Sequence, residues 1–390
     1  MGGGVVGALS PLSIMTKRDL FFAALSRETE LVPSYTMAFF NIATARRLLG
    51  GDNVVTDYLP APEYKMGASS EDNRRRNLRY AEKTDNFAIG VGQGASFAFG
   101  HGGPGEFMEK IIEQDGDGYI SQYETGVKKV TKYHPHFYHN FDHPLADLTE
   151  EIQLPDPANP ARYAGLRAEA EFYKRNGYLT YANLNGIFSG IHYFLYPYDA
   201  LFMDMLLDPE GIERLVRKLS VFNLTAAEEL LRQGIDCINF CDDLGDGRSL
   251  LFSRELYRQY FYPYHCELTA LCHSYGAKAH MHSHGNICGV LDLLADAGID
   301  MINPFDPSEI GPLTDLKEAY GDRFMIVGGL SKYFFDLPEE EMAVALSGAI
   351  QAGRKGGGFA LMDSGGIPEN ISQERYDFYV DLSRRLRLGR

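Results

Sequence analysis

A chain of 390 residues, 45% of them hydrophobic, can bury a large core, and its length admits either one α/β barrel or two domains. Its formal net charge of -16 argues against nucleic acid and anionic membrane as partners, because both need clustered Lys and Arg. No run approaches the roughly eighteen uninterrupted apolar residues of a membrane span. Residues 1–14 are small and apolar but lack a basic leader region, and Val6 breaks the myristoylation pattern, so they read as a disordered tail. The remainder, 15–390, reads as a single domain.

Eight parallel strands are predicted in chain order: Leu31 to Phe39, Asn86 to Val91, Tyr178 to Asn183, Cys237 to Cys241, Ala277 to Met281, Met301 to Asn303, Phe324 to Val327 and Phe359 to Met362. The last six alternate with helical patterns such as Pro209 to Gln233 and Ser253 to Tyr275. That alternation predicts an α/β fold, a (β/α)8 TIM barrel with its site at the carboxyl ends of the strands. The first third fits the repeat less well. Asn53 to Lys83 is polar and helical, and Gly118 to His134 reads as an antiparallel hairpin, so this material is expected to form lid segments inserted over the mouth.

The stretch Gly276 to Pro307, GAKAHMHSHGNICGVLDLLADAGIDMINPFDP, is a βαβ unit with two histidines where its first strand ends. His282 and His284 are two residues apart, so on an extended chain they face the same way and can converge on one metal or one substrate. The competing reading is a pair of histidines merely hydrogen-bonded at a barrel mouth. Four more, His134, His136, His139 and His143, lie among aromatics in KYHPHFYHNFDH, where a solvated or lid-packing loop is the simpler reading. Gly356-Gly357-Gly358 precedes a strand and so reads as a helix-to-strand turn, not a phosphate loop. All five cysteines, Cys237, Cys241, Cys266, Cys272 and Cys288, fall in one window, and an odd number in a chain this long points to reduced thiols in a cytoplasmic protein.

Taken in order, HSHGN, AGIDMINPFDP, GDRFMIVGGLS and GRKGGGFALMDSGGIPENIS resemble the HxCGN, aGvDxlnP, GdrxxxxGGiD and GGGyiLa segments of the uroporphyrinogen decarboxylase superfamily. Upstream, CINFCDDLGDGRSLLFSRELYRQYFYPY is similar to that family's DDLG segment and SPExFrexxxP helix. The resemblance runs from about Tyr178 to the C-terminus. In its methylcobamide:thiol methyltransferases, zinc is held by His-x-Cys at this strand end and by a Cys after the last strand. Here His284 replaces the first of those cysteines, and the second aligns with Gly365.

The resemblance therefore implies a zinc site with altered ligands. His282 and His284 would be joined by Asp363, at the end of the eighth strand, or Cys241, at the end of the fourth, with Asp243 binding substrate or orienting His282 as its catalytic partner. Asp363 as a helix cap and Cys241 as a buried core residue are the competing readings. Tyr and Phe number 24 each with no Trp, and Phe97, Phe99, Phe137, Tyr138, Phe188, Tyr193, Phe305, Tyr333 and Phe334 fall in segments expected around the mouth. They suggest an aromatic-lined substrate pocket, with Phe188, Tyr193, Asn303, Phe305 and Tyr333 as its binding residues.

Two chemistries follow from the resemblance. Nothing like the decarboxylases' RQAGR arginine segment appears, which disfavours porphyrin decarboxylation. Exchanging thiolate for imidazole would leave zinc more Lewis acidic and suited to polarising a methoxy oxygen. The leading expectation is a corrinoid-dependent O-demethylase methyltransferase acting on a methoxylated aromatic, with the corrinoid (cobalamin) on a separate protein because no DxHxxG pattern occurs in this chain. The alternatives are decarboxylation of a carboxylated aromatic, with Arg248 or Lys332 over the carboxylate, a methylcobamide:thiol methyltransferase, and a noncatalytic binding module. A homodimer is compatible with all of these.

Overall fold

The computed structural model describes residues 15–35, 47–48, 64–65, 68–92, 107–123, 125–132, 137–368 and 370–389. Among the described residues twelve strands fall into two sheets. An antiparallel sheet of β1 (Tyr64–Lys65), β3 (Phe107–Gln114), β4 (Gly118–Tyr123), β5 (Lys128–Lys132) and β6 (Phe137–Phe141) runs in the order β1-β3-β4-β5-β6. The second sheet is parallel and seven-stranded, in the order β12-β11-β10-β9-β8-β7-β2. Its members are β2 (Ala88–Gly90), β7 (Leu179–Asn185), β8 (Cys237–Cys241), β9 (Lys278–His282), β10 (Met301–Phe305), β11 (Met325–Leu330) and β12 (Phe359–Asp363).

The two edges of the parallel sheet meet through the segment predicted as the first strand. Tyr35 N donates to Leu361 O at 2.9 Å and Leu361 N to Pro33 O at 3.0 Å, while Phe87 N donates to Ser34 O at 3.1 Å on the other side. With Ser34 bridged in parallel to Leu361, the sheet curls into an eight-membered TIM-barrel-like ring. The predicted strand runs on to Phe39, but residues 36–39 lie outside the described residues, as do the predicted tail 1–14 and the aromatics Phe97 and Phe99.

Alternation along each strand separates two buried faces. Tyr35, Ala88, Leu179, Cys237, Met301, Met325, Val327, Ala360 and Met362 pack together with Leu20, Phe21, Ala24 and Leu25 of the helix Lys17–Leu25, which plugs the amino-terminal end of the barrel. The intervening residues, among them Ala182, Ile238, Phe240, Met281, Ile302, Ile326 and Leu361, face the surrounding helices in a larger cluster. The longest of those helices, Pro209–Arg232, starts as its sequence predicts. Asp208 accepts from Gly211 N, Pro209 occupies the first turn, and Ile212, Leu215, Leu219, Phe222, Ala226 and Leu230 form its buried stripe.

Two expectations are corrected and a third is extended. The single helix over Ser253 to Tyr275 is two, Arg254–Tyr260 and Tyr262–Ser274, because Pro263 cannot donate to the preceding turn and Phe261 leaves ideal helical geometry. Of Asn53 to Lys83, Glu71–Lys83 is helical, capped by Ser70, whereas Tyr64–Lys65 pairs with β3. The hairpin over Gly118 to His134 is real in β4 and β5 but is the centre of the five-stranded sheet. No helix among the described residues is long and apolar enough to cross a membrane.

Candidate active site

Strand register sets which inward residues share a level. Asn185 pairs with Cys241, Cys241 with His282, and Asn303 with His282. All four face inward at the carboxyl-terminal mouth, by alternation from Leu179, Cys237 and Met301.

The two aspartates after β8 have opposite roles. Asp242 is fully buried, accepts from Ser189 N at 2.8 Å and meets His265 Nε2 at 3.3 Å, and His265 Nδ1 meets Tyr257 OH at 2.8 Å. That chain anchors the turn from behind. Gly186 is required beside it, since a Cβ there would lie 2.4 Å from the Asp242 carboxyl carbon. Asp243 instead enters the mouth, with its N donating to Ser189 Oγ and its Oδ1 accepting from His284 N, both at 2.8 Å. Leu244 N donates to Ser283 Oγ at 3.0 Å, and Gly285, at φ +85°, lets the two loops touch where any side chain would strike Gly245. The DDLG and HSHGN turns thus hold each other in register.

The donor atoms of Cys241, Asp243 and His282 all lie within 4.8 Å of one another, and His282 Nε2 is 4.0 Å from Asp243 Oδ1. Burial lowers the His282 pKa to about 4, against the opposing pull of Asp243, so the imidazole is neutral at pH 7 and has a lone pair to give. Asn303 Nδ2 lies 3.1 Å from His282 Nδ1 and fixes the ring. Burial, with Asp243 and Asp242 adding to it, pushes the Cys241 thiol well above its ordinary range. A cation among the three would reverse that penalty. Thiol, carboxylate and imidazole with an open side are the donor set of a catalytic zinc centre, and the three residues fit one.

His284 stands beside this trio and outside it. Its ring is edge-on to His282 at 4.8 Å between centroids, and its backbone N is what holds Asp243. Asp363 has the parity of Leu361 and faces the helices, close to Tyr376 and Tyr379, not the mouth. Its 1% exposure raises its pKa to about 6, although the amides of Asp363 and Gly366 oppose the shift, and neither oxygen makes a well-formed hydrogen bond.

Of the aromatics, Tyr193 reaches the site. Its hydroxyl is 3.3 Å from that of Tyr138 on β6, so the antiparallel sheet touches the helix Ile187–Phe194 over Asp243 and Cys241, whose charges act on both phenols. Burial raises both tyrosine pKa values, keeping the hydroxyls protonated. Phe188 is fully buried among Phe202, Phe252 and Phe261, and Phe305 stacks on Phe324 in the outer core, so neither lines the mouth. Tyr333 is 58% exposed beneath Lys332, and Phe334 packs on Tyr379. His143 meets His192 O at 2.8 Å and His139 is exposed on β6, while His134, His136 and the Phe137 side chain lie outside the described residues. The glycines 356–358 form the turn into β12, with φ near +70° at each.

Sequence reasoning missed His280, Asn239 and Asn183. The signal was present, since His280 stands two residues before His282 and the alternation that aligned 282 with 284 extends backwards as well.

No curated protein sequence matches the chain. Among solved structures, a methyltransferase from Methanosarcina mazei has a TM-score of 0.67 at 15% identity, covering 95% of this chain and 99% of that one, which is a likeness of fold. A GH113 beta-1,4-mannanase complex aligns over 93% of this chain and all of its own, at 11% identity and a TM-score of only 0.38. The Uroporphyrinogen decarboxylase (URO-D) family profile matches residues 183–386, just over half of the sequence, from the end of β7 through β12, including Cys241, Asp243 and His282. The chain belongs to the uroporphyrinogen decarboxylase (URO-D) family, whose members are enzymes of methyl transfer or decarboxylation.

Proposed function

We propose that the protein moves a methyl group from a methoxylated, aromatic substrate to a corrinoid carried by a separate protein, using zinc held by Cys241, Asp243 and His282. The observation that carries this reading is the trio itself, a thiol, a carboxylate and a neutral imidazole converging at the inner mouth of the barrel. The fold likeness to a methyltransferase over nearly its whole length supports it.

Cys241, Asp243 and His282 would hold a zinc ion, which would supply Lewis acidity toward an ether oxygen whose phenoxide or alkoxide is the leaving group. With one thiolate and one carboxylate as donors in place of two thiolates, such an ion would keep more of its positive character. The protein's own groups do the rest. Ser189 and the His284 amide hold the Asp243 carboxylate in place, and Asn303 orients His282. Tyr138 and Tyr193, kept protonated, offer hydroxyl donors above Asp243, where the antiparallel sheet meets the helix Ile187–Phe194.

The decarboxylase alternative needs a cation over a substrate carboxylate. Lys332 is engaged with Glu309 at 2.9 Å, and Arg248 lies on an exposed turn, so neither is presented to the trio. Incubating the zinc-loaded protein and a reduced corrinoid with a panel of methoxylated aromatics, followed by mass spectrometry, is expected to yield the demethylated phenol only when corrinoid is present. Carbon dioxide release from a carboxylated aromatic without corrinoid would replace this reading with decarboxylation.

A further inference from the structure

Beneath the trio lies a second inward row. Register sets Asn183 opposite Asn239 and Asn239 opposite His280, one step toward the closed end from Asn185, Cys241 and His282. Asn239 Nδ2 donates to Asn183 Oδ1 at 2.7 Å, which orients the amide and leaves Asn239 Oδ1 without a partner among the described residues. His280 is 1% exposed, and among the described residues neither of its ring nitrogens makes a well-formed hydrogen bond, the Asn303 side chain acting on the ring only weakly. The Asn303 amide lies near that ring, but its nitrogen is committed to His282 and Met362. An orphan acceptor next to an orphan imidazole is costly in a protein interior and marks a place meant to be filled. Asn183, at the end of the row, is exposed, so the row is reached from the mouth.

The chemistry of the row selects its ligand. Two amides and an imidazole continue into Met301 and Met325 on the next strands, with no lysine or arginine among them. A charged group would find no counter-ion among the described residues of that row. A hydroxyl satisfies the amide oxygen and one ring nitrogen at once, its O–H donating to Asn239 Oδ1 and its oxygen accepting from the His280 ring N–H.

We infer that Asn239 and His280 form a hydroxyl-recognition subsite that selects substrates whose hydroxyl is remote from the methoxy group. The inference rests on the methyl-transfer reading for placing the ether oxygen at the level of Cys241 and His282. The two rows are two residues apart along each strand, about 6.7 Å. Oxygens across a benzene ring are roughly 5.5 Å apart, which brings the hydroxyl within hydrogen-bond reach of the lower row, whereas oxygens on adjacent carbons, roughly 2.7 Å apart, fall well short. The class favoured is the 4-methoxyphenol type.

The test is equilibrium binding of 4-methoxyphenol, 2-methoxyphenol and 4-methoxytoluene to the full chain, by calorimetry. Wild type is expected to prefer 4-methoxyphenol over each of the others by roughly tenfold, the cost of leaving a buried polar group unmatched. Asn239→Ala and His280→Leu, each confirmed folded by circular dichroism, are expected to reduce that preference to within about twofold. Both variants are read independently, so loss of one fold leaves the other decisive. Equal binding of 4-methoxyphenol and 4-methoxytoluene by wild type, no binding of any of the three, or an undiminished preference in both variants would overturn the subsite. A tenfold preference that persists while no corrinoid is ever methylated supports the subsite and defeats the demethylase reading instead.

Discussion

Replacing Asp363 by Asn is expected to stabilise the protein and leave its metal in place. The carboxyl is buried on the outer side of β12, its oxygens lack well-formed hydrogen bonds, and burial lifts its pKa from the ordinary 3.8 to about 6. A carboxyl whose folded pKa is raised contributes its full stability below the unfolded pKa and loses it as the pH climbs through the folded one. Between those limits the loss amounts to about 3 kcal/mol, complete near pH 7.5 and about half complete near pH 5. Asn keeps the shape and removes the titration. Urea denaturation of both proteins should therefore show the variant ahead by about 3 kcal/mol near pH 7.5 and by about half of that near pH 5. Equal stability at both pH values would refute the reasoning about burial. Loss of zinc from the variant would return Asp363 to the ligand set and contradict the orientation read from strand alternation.

Metal content separates the trio from its neighbour: His282→Ala and Cys241→Ser should each lose most bound zinc by elemental analysis, whereas His284→Ala should retain it, because His284 contributes its backbone and not its ring. At the closed end of the barrel, Arg387 is 1% exposed and binds Asp85 Oδ2 at 2.5 Å and Val32 O at 3.0 Å, so Arg387→Met should cost about 3–5 kcal/mol in chemical denaturation by leaving part of the Asp85 charge unpaired. Burial raises the Asp85 pKa, but Arg387, Lys17 and Arg384 outweigh it and hold it below the usual range, so this contribution is present above pH 4 or thereabouts and fades as acid titrates the folded carboxyl. Tyr193→Phe removes the hydroxyl that meets Tyr138 and should lower turnover roughly tenfold or more with little loss of zinc, measured as product formed by the zinc-loaded variant.

Strand positions were legible wherever apolar runs alternate with amphipathic helices, as from Leu179 onward, because both periodicities are local properties of the chain. Strand ends were less so: His282, Asp363 and Asn185 are polar and yet still paired. The antiparallel sheet was seen only as its central hairpin: β3 and β6 join it through equally short connections, Gln114 pairing with Tyr119 and Lys132 with Phe137, whose polar strands lack a clean apolar alternation, and β1 alone pairs across a long separation. At the site, Cys241, Asp243 and His282 were all identifiable as candidates. What the sequence could not show was which of Asp243, His284 and Asp363 joins Cys241 and His282. That choice depends on inward or outward facing at a strand end and on the lock between the DDLG and HSHGN turns, both tertiary facts. Phe188 and Phe305 illustrate the same limit, since aromatics just past a strand can turn back into the helix layer as readily as into the mouth.

The most direct test of the account is to follow an isotopically labelled methoxy carbon. With zinc-loaded wild type, a reduced corrinoid and a labelled methoxyphenol, magnetic resonance should show the label bound to cobalt in amounts equal to the phenol released, and His282→Ala should transfer none. Phenol release with no label on cobalt, or equal transfer by His282→Ala, would contradict the claim that this barrel mouth passes a methyl group to a corrinoid through the Cys241, Asp243 and His282 centre.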